Sequence, residues 1–83
     1  MEKHYAYILK CNDGTYYCGY TNNPKKREET HNMGTGAKYT RCRLPVKMVY
    51  TECFDTKSEA LKRECALKKL SHVKKEELIK NKV

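Results

Sequence analysis

Runs of aromatic and branched residues alternate with polar, charged stretches along the chain, and this pattern predicts three strands separated by helices and loops. Residues 5–11 and 15–20 are rich in aromatic and branched side chains, and Asn12-Asp13-Gly14 between them indicates the turn of a hairpin. Residues 46–54 have a similar composition and predict a third strand. We expect residues 34–45 to form a loop with at most a short helical turn.

The first predicted helix has almost nothing to bury. Asn23 is a suitable N-cap and Gly34 a suitable stop, yet Met33 is the only large apolar residue between them. A helix in a globular protein is normally held in place by an apolar stripe, so this one must be anchored in another way. A face directed at a ligand would be one such way. Arg27 and His31, at positions i and i+4, share a face and are candidates for it.

Capping signals also mark two later helices. Thr56-Lys-Ser-Glu59 is a capping box that predicts a long helix through Leu70, and Ser71 can cap a final helix. The resulting order β-β-α-β-α-α predicts an α+β fold, with helices flanking a three-stranded antiparallel sheet. At 83 residues we expect one domain over residues 1–83.

The length of the hairpin loop decides which side chains share a face of the sheet. A two-residue turn would pair Lys10 with Tyr17 and put Tyr7 and Tyr17 on opposite faces. A three-residue loop, with Gly14 in a left-handed conformation, pairs Leu9 with Tyr17 and brings the two tyrosines to the same face as diagonal neighbours. We expect the three-residue loop.

Glu64 falls inside the apolar stripe of the long predicted helix. At ~100° per residue it lies within about 60° of both Ala60 and Leu67. An i,i+4 ion pair with Lys68 would account for it without any function. A carboxylate directed toward a sheet face that carries two tyrosines could instead hold a divalent cation, because Mg²⁺ prefers oxygen ligands and commonly uses one or two carboxylates.

Composition favours a polyanionic partner and a reducing compartment. The net charge of +8 is large for 83 residues and suits nucleic acid or an acidic surface. No apolar run reaches the length of a membrane-spanning helix, so we expect no membrane partner. The five cysteines have no C-x-x-C spacing, which argues against a zinc site. Their odd number and the lack of an N-terminal apolar segment in the sequence argue against a secreted disulfide scaffold. We therefore expect a cytoplasmic location.

These residues, in this order, resemble the GIY-YIG nuclease family. Its first motif is similar to Tyr5-Ala6-Tyr7 and its second to Tyr17-Cys18-Gly19, with Gly19 as a structural position of the motif. The family's helix arginine and histidine match Arg27 and His31, and its metal-binding glutamate matches Glu64. The small single-domain UPF-type branch is the most similar, although the glycine and isoleucine of the first motif are replaced by Tyr5 and Ala6.

The resemblance implies an endonuclease or nicking enzyme that cleaves DNA with Mg²⁺ or Mn²⁺. Tyr7, with Tyr17 beside it, would activate water, and His31, able to exchange protons near neutrality, would receive a proton. Arg27 would stabilise the phosphate and Glu64 would hold the metal.

The loop before the third strand could bind nucleic acid. Its basic residues could follow a phosphate backbone, and its tyrosine is available for stacking; a solvated basic loop would have the same composition. The candidates are Lys38, Tyr39, Arg41 and Arg43. The alternative to a nuclease is a non-catalytic nucleic-acid-binding module of the same fold. A lone domain of this size also suggests a protein partner that supplies specificity.

Overall fold

A computed structural model describes residues 3–81 and has three strands and four helices in that range. In chain order these are β1 (His4–Lys10), β2 (Tyr16–Thr21), α1 (Pro24–Asn32), α2 (Lys38–Arg41), β3 (Lys47–Phe54), α3 (Lys57–Lys68) and α4 (His72–Asn81). The strands form one antiparallel sheet in the order β2-β1-β3. The predicted α+β class and its three-stranded sheet are confirmed. Helix α2 is a four-residue turn inside the segment that we expected to be a loop.

The hairpin has the three-residue loop. Leu9 pairs with Tyr17 and Tyr7 pairs with Gly19 across β1 and β2. The backbone N–H of Cys11 donates to the Thr15 carbonyl at 2.8 Å, which leaves three residues in the loop, and Gly14 has a φ of +86°. A positive φ of this size is accessible to glycine at little cost. Tyr7 and Tyr17 therefore share a face, and this prediction is confirmed.

The sheet has a core on each side. Residues of alternate parity face α3 on one side and α1 on the other, as the two-residue repeat of a strand requires. The α3 face holds the cluster of Ala6, Ile8, Cys18, Tyr50 and Leu67. The tyrosine face holds the cluster of Tyr7, Leu9, Cys11 and Val46. Helix α3 is thus on the opposite side of the sheet from Tyr7.

Helix α1 is anchored by polar side chains that bond to the backbone of β3 and of the residue before it. The Glu28 carboxylate accepts the N–H of Met48 at 2.6 Å. The Asn32 amide bonds both backbone groups of Val46, accepting its N–H at 2.7 Å and donating to its carbonyl at 3.0 Å. Because β3 is an edge strand, groups at that end lack a partner strand and take these side chains instead. The apolar stripe that α1 lacks is replaced by these hydrogen bonds, while Met33 stays exposed.

The predicted caps are present. The Asn23 side chain accepts the N–H of Lys26 at 3.2 Å, the Thr56 hydroxyl that of Glu59 at 3.2 Å, and the Ser71 hydroxyl that of Lys74 at 3.2 Å. Helix α3 ends at Lys68, two residues before the predicted end. None of the helices described between residues 3 and 81 has the length and apolar character needed to cross a membrane.

Candidate active site

Tyr7 is the centre of a buried polar cluster on the tyrosine face. Its side chain is 1% exposed, and its ring and hydroxyl lie directly over Gly19 on β2. A Cβ at position 19 would overlap the Tyr7 phenol, so glycine is required there by a close approach of a side chain. Since β2 is an edge strand, the Tyr7 hydroxyl reaches toward that edge of the sheet.

His31 is completely buried and has both ring nitrogens in hydrogen bonds. Its Nε2 lies 3.1 Å from the Tyr7 hydroxyl, and its Nδ1 lies 2.8 Å from the Thr40 hydroxyl. Burial, reinforced by the charge of Arg27, lowers the pKa of His31 from 6.5 to about 4. The expectation that His31 exchanges protons near neutrality is therefore wrong. The ring is neutral at pH 7, because a buried imidazolium beside a guanidinium is costly.

Arg27 donates from its Nε to the Tyr7 hydroxyl at 3.4 Å. Burial raises the pKa of Tyr7; the hydrogen bond and charge of Arg27 lower it, while the charges of Tyr17 and Glu64 add to the increase. Burial has the largest effect of these, so the pKa of Tyr7 stays raised in the free protein. A polar cleft of about 260 Å³ lies beside Arg27, lined also by Thr21, Asn22, Asn23, Lys26 and Thr30.

Tyr17 belongs to a row of stacked side chains next to His31. Its ring is 5.5 Å from that of His31, edge-on, and 5.8 Å from that of Tyr39, nearly parallel. The Arg43 guanidinium sits 4.0 Å from the centre of the Tyr39 ring and also pairs with Asp13 at 3.0 Å. The row therefore connects the hairpin loop to the cluster around Tyr7.

The candidate nucleic-acid-binding residues of segment 38–43 differ in how far their side chains are engaged in contacts within the protein. Tyr39 has Tyr17 and Arg43 close to its ring, and 39% of the residue remains exposed, so its stacking on a base stays a prediction. Arg43 is held by Asp13 and by the Tyr39 carbonyl, at 2.7 Å. Lys38 and Arg41 are exposed. Lys38 and Arg41 can therefore reach a phosphate without breaking contacts such as those that hold Arg43.

Glu64 does not share the tyrosine face, contrary to our expectation. Helix α3 packs Leu67 against Ala6 and Ile8, on the other side of the sheet. The helix follows β3 and covers the side that α1 leaves open, which sequence periodicity does not reveal. The Glu64 side chain is nevertheless only 18% exposed, and its carboxylate lies 3.9 Å from the Lys68 ammonium, an i,i+4 contact too long for a hydrogen bond.

Glu64 has an electrostatic effect on both faces of the sheet. Its charge acts on Tyr7, and it also acts on Cys18, although those two residues face opposite sides of the sheet. Cys18 is on β2, and the Tyr7 hydroxyl lies over Gly19 on the same edge strand. Glu64 is therefore close enough to both groups for its charge to affect them.

The donor set suits a hard cation with few protein ligands. Within residues 3–81 no three His, Cys, Asp or Glu side chains are grouped as metal ligands, so this range contains no closed set of ligands of the zinc type. Mg²⁺ usually retains several waters and uses one or two carboxylates together with substrate phosphate. A single shielded Glu64 with a weak partner fits that mode of binding.

Two residues that contact His31 were missed from the sequence. Thr40 is fully buried and bonds Nδ1, and Gly36 packs so closely that a Cβ there would lie 2.5 Å from Nδ1. Both belong to segment 34–41, and nothing in their residue types pointed to His31. The two glycines of that segment were the available signal, since glycine often marks a close approach.

The fold and the cluster define a class of protein. It is a small α+β domain in which a buried tyrosine hydroxyl lies between a histidine and an arginine, with a shielded carboxylate whose charge acts on the tyrosine. The family comparison agrees with this description: residues 3–77 match the model described as the GIY-YIG catalytic domain. The chain belongs to the GIY-YIG family.

Close relatives come from the UPF0213 proteins. One from Bacillus licheniformis is 60% identical over 81 residues, covering 98% of this chain and 84% of the relative. One from Staphylococcus saprophyticus is 58% identical, and the match covers 95% of this chain and 96% of the relative. One from Halobacterium salinarum is 53% identical, and the match covers 90% of this chain and 97% of the relative. The solution NMR structure of a UPF0213 protein from Bacillus halodurans has 48% identity and a TM-score of 0.62, covering 96% of this chain and 85% of that one.

Proposed function

We propose that this protein is a metal-dependent endonuclease that cleaves or nicks DNA. The observation that carries the proposal is the buried Tyr7 hydroxyl, which lies between His31 Nε2 at 3.1 Å and Arg27 Nε at 3.4 Å. Membership of a family whose model is a catalytic domain supports the same reading. A buried tyrosine needs one hydrogen-bond partner, and two nitrogen partners are more than packing requires.

Tyr7 acts in this proposal as the general base for the attacking water. Its proton must leave near neutral pH, although burial raises its pKa in the free protein. Arg27 opposes that rise, and the charge of Glu64 adds to it. Offsetting the charge of Glu64 would therefore lower the pKa of Tyr7 and raise the ionised fraction of its hydroxyl near neutral pH. Tyr17, whose ring lies against that of His31, limits access of bulk water to this side of the cluster.

Arg27 has a second task in the proposal. The Nε–H of Arg27 bonds Tyr7, and its guanidinium has further N–H donors. Arg27 also lines the polar cleft described above. A non-bridging phosphate oxygen in that cleft would receive a charge-assisted hydrogen bond, which is stronger as the phosphorane gains charge. The same side chain thus aligns the phosphate with the base.

Glu64 would hold Mg²⁺ or Mn²⁺. A divalent cation bound there would supply positive charge for the phosphate and leaving oxygen, and would offset the small contribution that the charge of Glu64 makes to the raised pKa of Tyr7. Lys38 and Arg41 would hold the flanking backbone, and the net charge of +8 would draw the polyanion in. A cytoplasmic location and a protein partner that adds specificity complete the proposal.

The test is a cleavage assay on supercoiled plasmid and branched DNA with Mg²⁺ or Mn²⁺. We expect the wild type to nick the DNA, and Arg27→Ala and Glu64→Ala each to lose at least about 100-fold in rate. Lys25→Ala is the matched control, since Lys25 is exposed on the same helix as Arg27. Equal activity in all four proteins would overturn the mechanism. Salt-sensitive DNA binding by the wild type without any cleavage would identify the non-catalytic binding module instead.

A further inference from the structure

We propose that Thr40 is a positioning residue that holds His31 as the Nε2–H tautomer, so that His31 donates its hydrogen bond to Tyr7. Nothing in the family match assigns Thr40 a role. The consequence for catalysis rests on the proposed function, whereas the tautomer itself does not. The inference follows from counting donors and acceptors around the buried imidazole, where no water competes because His31 and Thr40 are both fully buried.

Nδ1 of His31 faces two groups. The Thr40 hydroxyl lies at 2.8 Å, and the backbone N–H of Ala37 approaches at 3.4 Å. A backbone N–H can only donate, and Nδ1 is the acceptor that the structure gives it. A proton on Nδ1 would oppose that N–H. The Ala37 contact therefore favours an unprotonated Nδ1, even though it is long.

The Thr40 hydroxyl can give its proton to Nδ1. It lies 2.9 Å from the Ala37 carbonyl as well, but that carbonyl already accepts the backbone N–H groups of Thr40 and Arg41, each at 3.2 Å. The carbonyl is satisfied without the hydroxyl. Donation to Nδ1 satisfies the imidazole and adds to the donation from Ala37, so the two groups select the same tautomer.

The consequence appears at the other side of the ring. With Nδ1 unprotonated, the proton is on Nε2 and is donated to the Tyr7 oxygen at 3.1 Å. Arg27 Nε–H donates to the same oxygen. Two donors on one phenol oxygen favour its ionised form and leave its own proton directed away from the imidazole. His31 is then a donor that supports Tyr7 as a base and is not the recipient of its proton.

Gly36 keeps the loop close enough for this arrangement. A Cβ at position 36 would lie 2.5 Å from Nδ1 and 2.8 Å from Cγ of His31, so a side chain there would push the loop away from the ring. Segment 34–41 thus packs closely against the His31 ring. This packing brings both the Ala37 N–H and the Thr40 hydroxyl to Nδ1 of His31.

The tautomer can be measured on the free protein with ¹⁵N-labelled histidine, from the two-bond ¹H–¹⁵N correlations of the His31 ring at pH 7. We expect Nδ1 to be the unprotonated nitrogen in the wild type and in Thr40→Ser, which retains the hydroxyl. In Thr40→Val, of similar shape and without the hydroxyl, we expect the tautomer ratio to shift by about fivefold or more toward Nδ1–H. A wild type that carries its proton on Nδ1 would overturn the proposal even if the Val variant failed to fold.

A catalytic readout separates positioning from mere packing. We expect Thr40→Val to lower the cleavage rate and to move the acidic limb of its pH profile, which reports the ionisation of the general base, to higher pH, because Tyr7 loses a donor. We expect Thr40→Ser to restore both. A Val variant with an unchanged tautomer ratio would remove Thr40 from the account. If the chain cleaves no DNA, the proposed function fails while the tautomer measurement still decides this inference.

Discussion

The buried neutral His31 makes the stability of the protein depend on pH in a calculable way. The pKa of His31 is about 4 in the folded protein, against 6.5 in an exposed chain. Between these values the unfolded state binds more protons, so stability is fully present above pH 6.5 and is lost as the pH falls toward 4. At about 1.4 kcal/mol per pH unit, this difference amounts to about 3 kcal/mol, a large part of the stability of a small domain.

The assay is urea unfolding, followed by circular dichroism, at intervals from pH 7 to pH 4. Carboxylates titrate in part of the same range, so the wild type is compared with His31→Gln, which keeps a polar side chain and removes the imidazole. We expect the stability of the wild type to fall by about 3 kcal/mol more than that of the variant. An NMR titration of the His31 ring protons should show no inflection between pH 5 and pH 8. Parallel curves for the two proteins, or an inflection in that range, would refute the reasoning.

Three further predictions concern the packing and the surface. Gly19→Ala puts a methyl group into the Tyr7 phenol and should cost about 1–3 kcal/mol of unfolding free energy, with cleavage lost as well; a variant as stable and active as wild type would contradict the close approach. Asn32→Ala removes the bonds that tie α1 to the start of β3 and should cost about 1–3 kcal/mol in urea unfolding, whereas Lys25→Ala on the same helix should stay within about 0.5 kcal/mol. Arg41→Ala should lower the slope of log affinity against log salt by about 0.9 in a DNA-binding titration, and an unchanged slope would remove Arg41 from the interface.

Local signals in the sequence were enough for the hairpin and the helix starts. The Asn12-Asp13-Gly14 turn set the register, because one glycine with a positive φ closes a three-residue loop. Asn23 and Thr56 each cap a helix by accepting the backbone N–H of the residue three positions later. Interactions of this range depend on a few adjacent residues, and residue type is sufficient to predict them.

Long-range contacts escaped prediction for a physical reason. Glu28 and Asn32 look like ordinary surface residues of a polar helix, and only the position of β3 shows that they satisfy backbone groups of that edge. The periodicity of α3 showed that Glu64 lies in the stripe, but it does not say which side of a sheet the stripe covers. The spacing of Arg27 and His31 was visible in the sequence, but the burial that contributes most to the low pKa of His31 was not.

The Tyr7 hydroxyl is the centre of the proposed chemistry, and its removal tests the account most directly. The measurement is the single-turnover rate of DNA cleavage with Mg²⁺ for the wild type, Tyr7→Phe and Tyr16→Phe. Tyr16 is the matched control, because its ring lies on the α3 face against His72, at 4.7 Å. We predict that Tyr7→Phe loses about 10²–10⁴-fold in rate while Tyr16→Phe retains the wild-type rate. Cleavage by Tyr7→Phe at the wild-type rate would contradict the account.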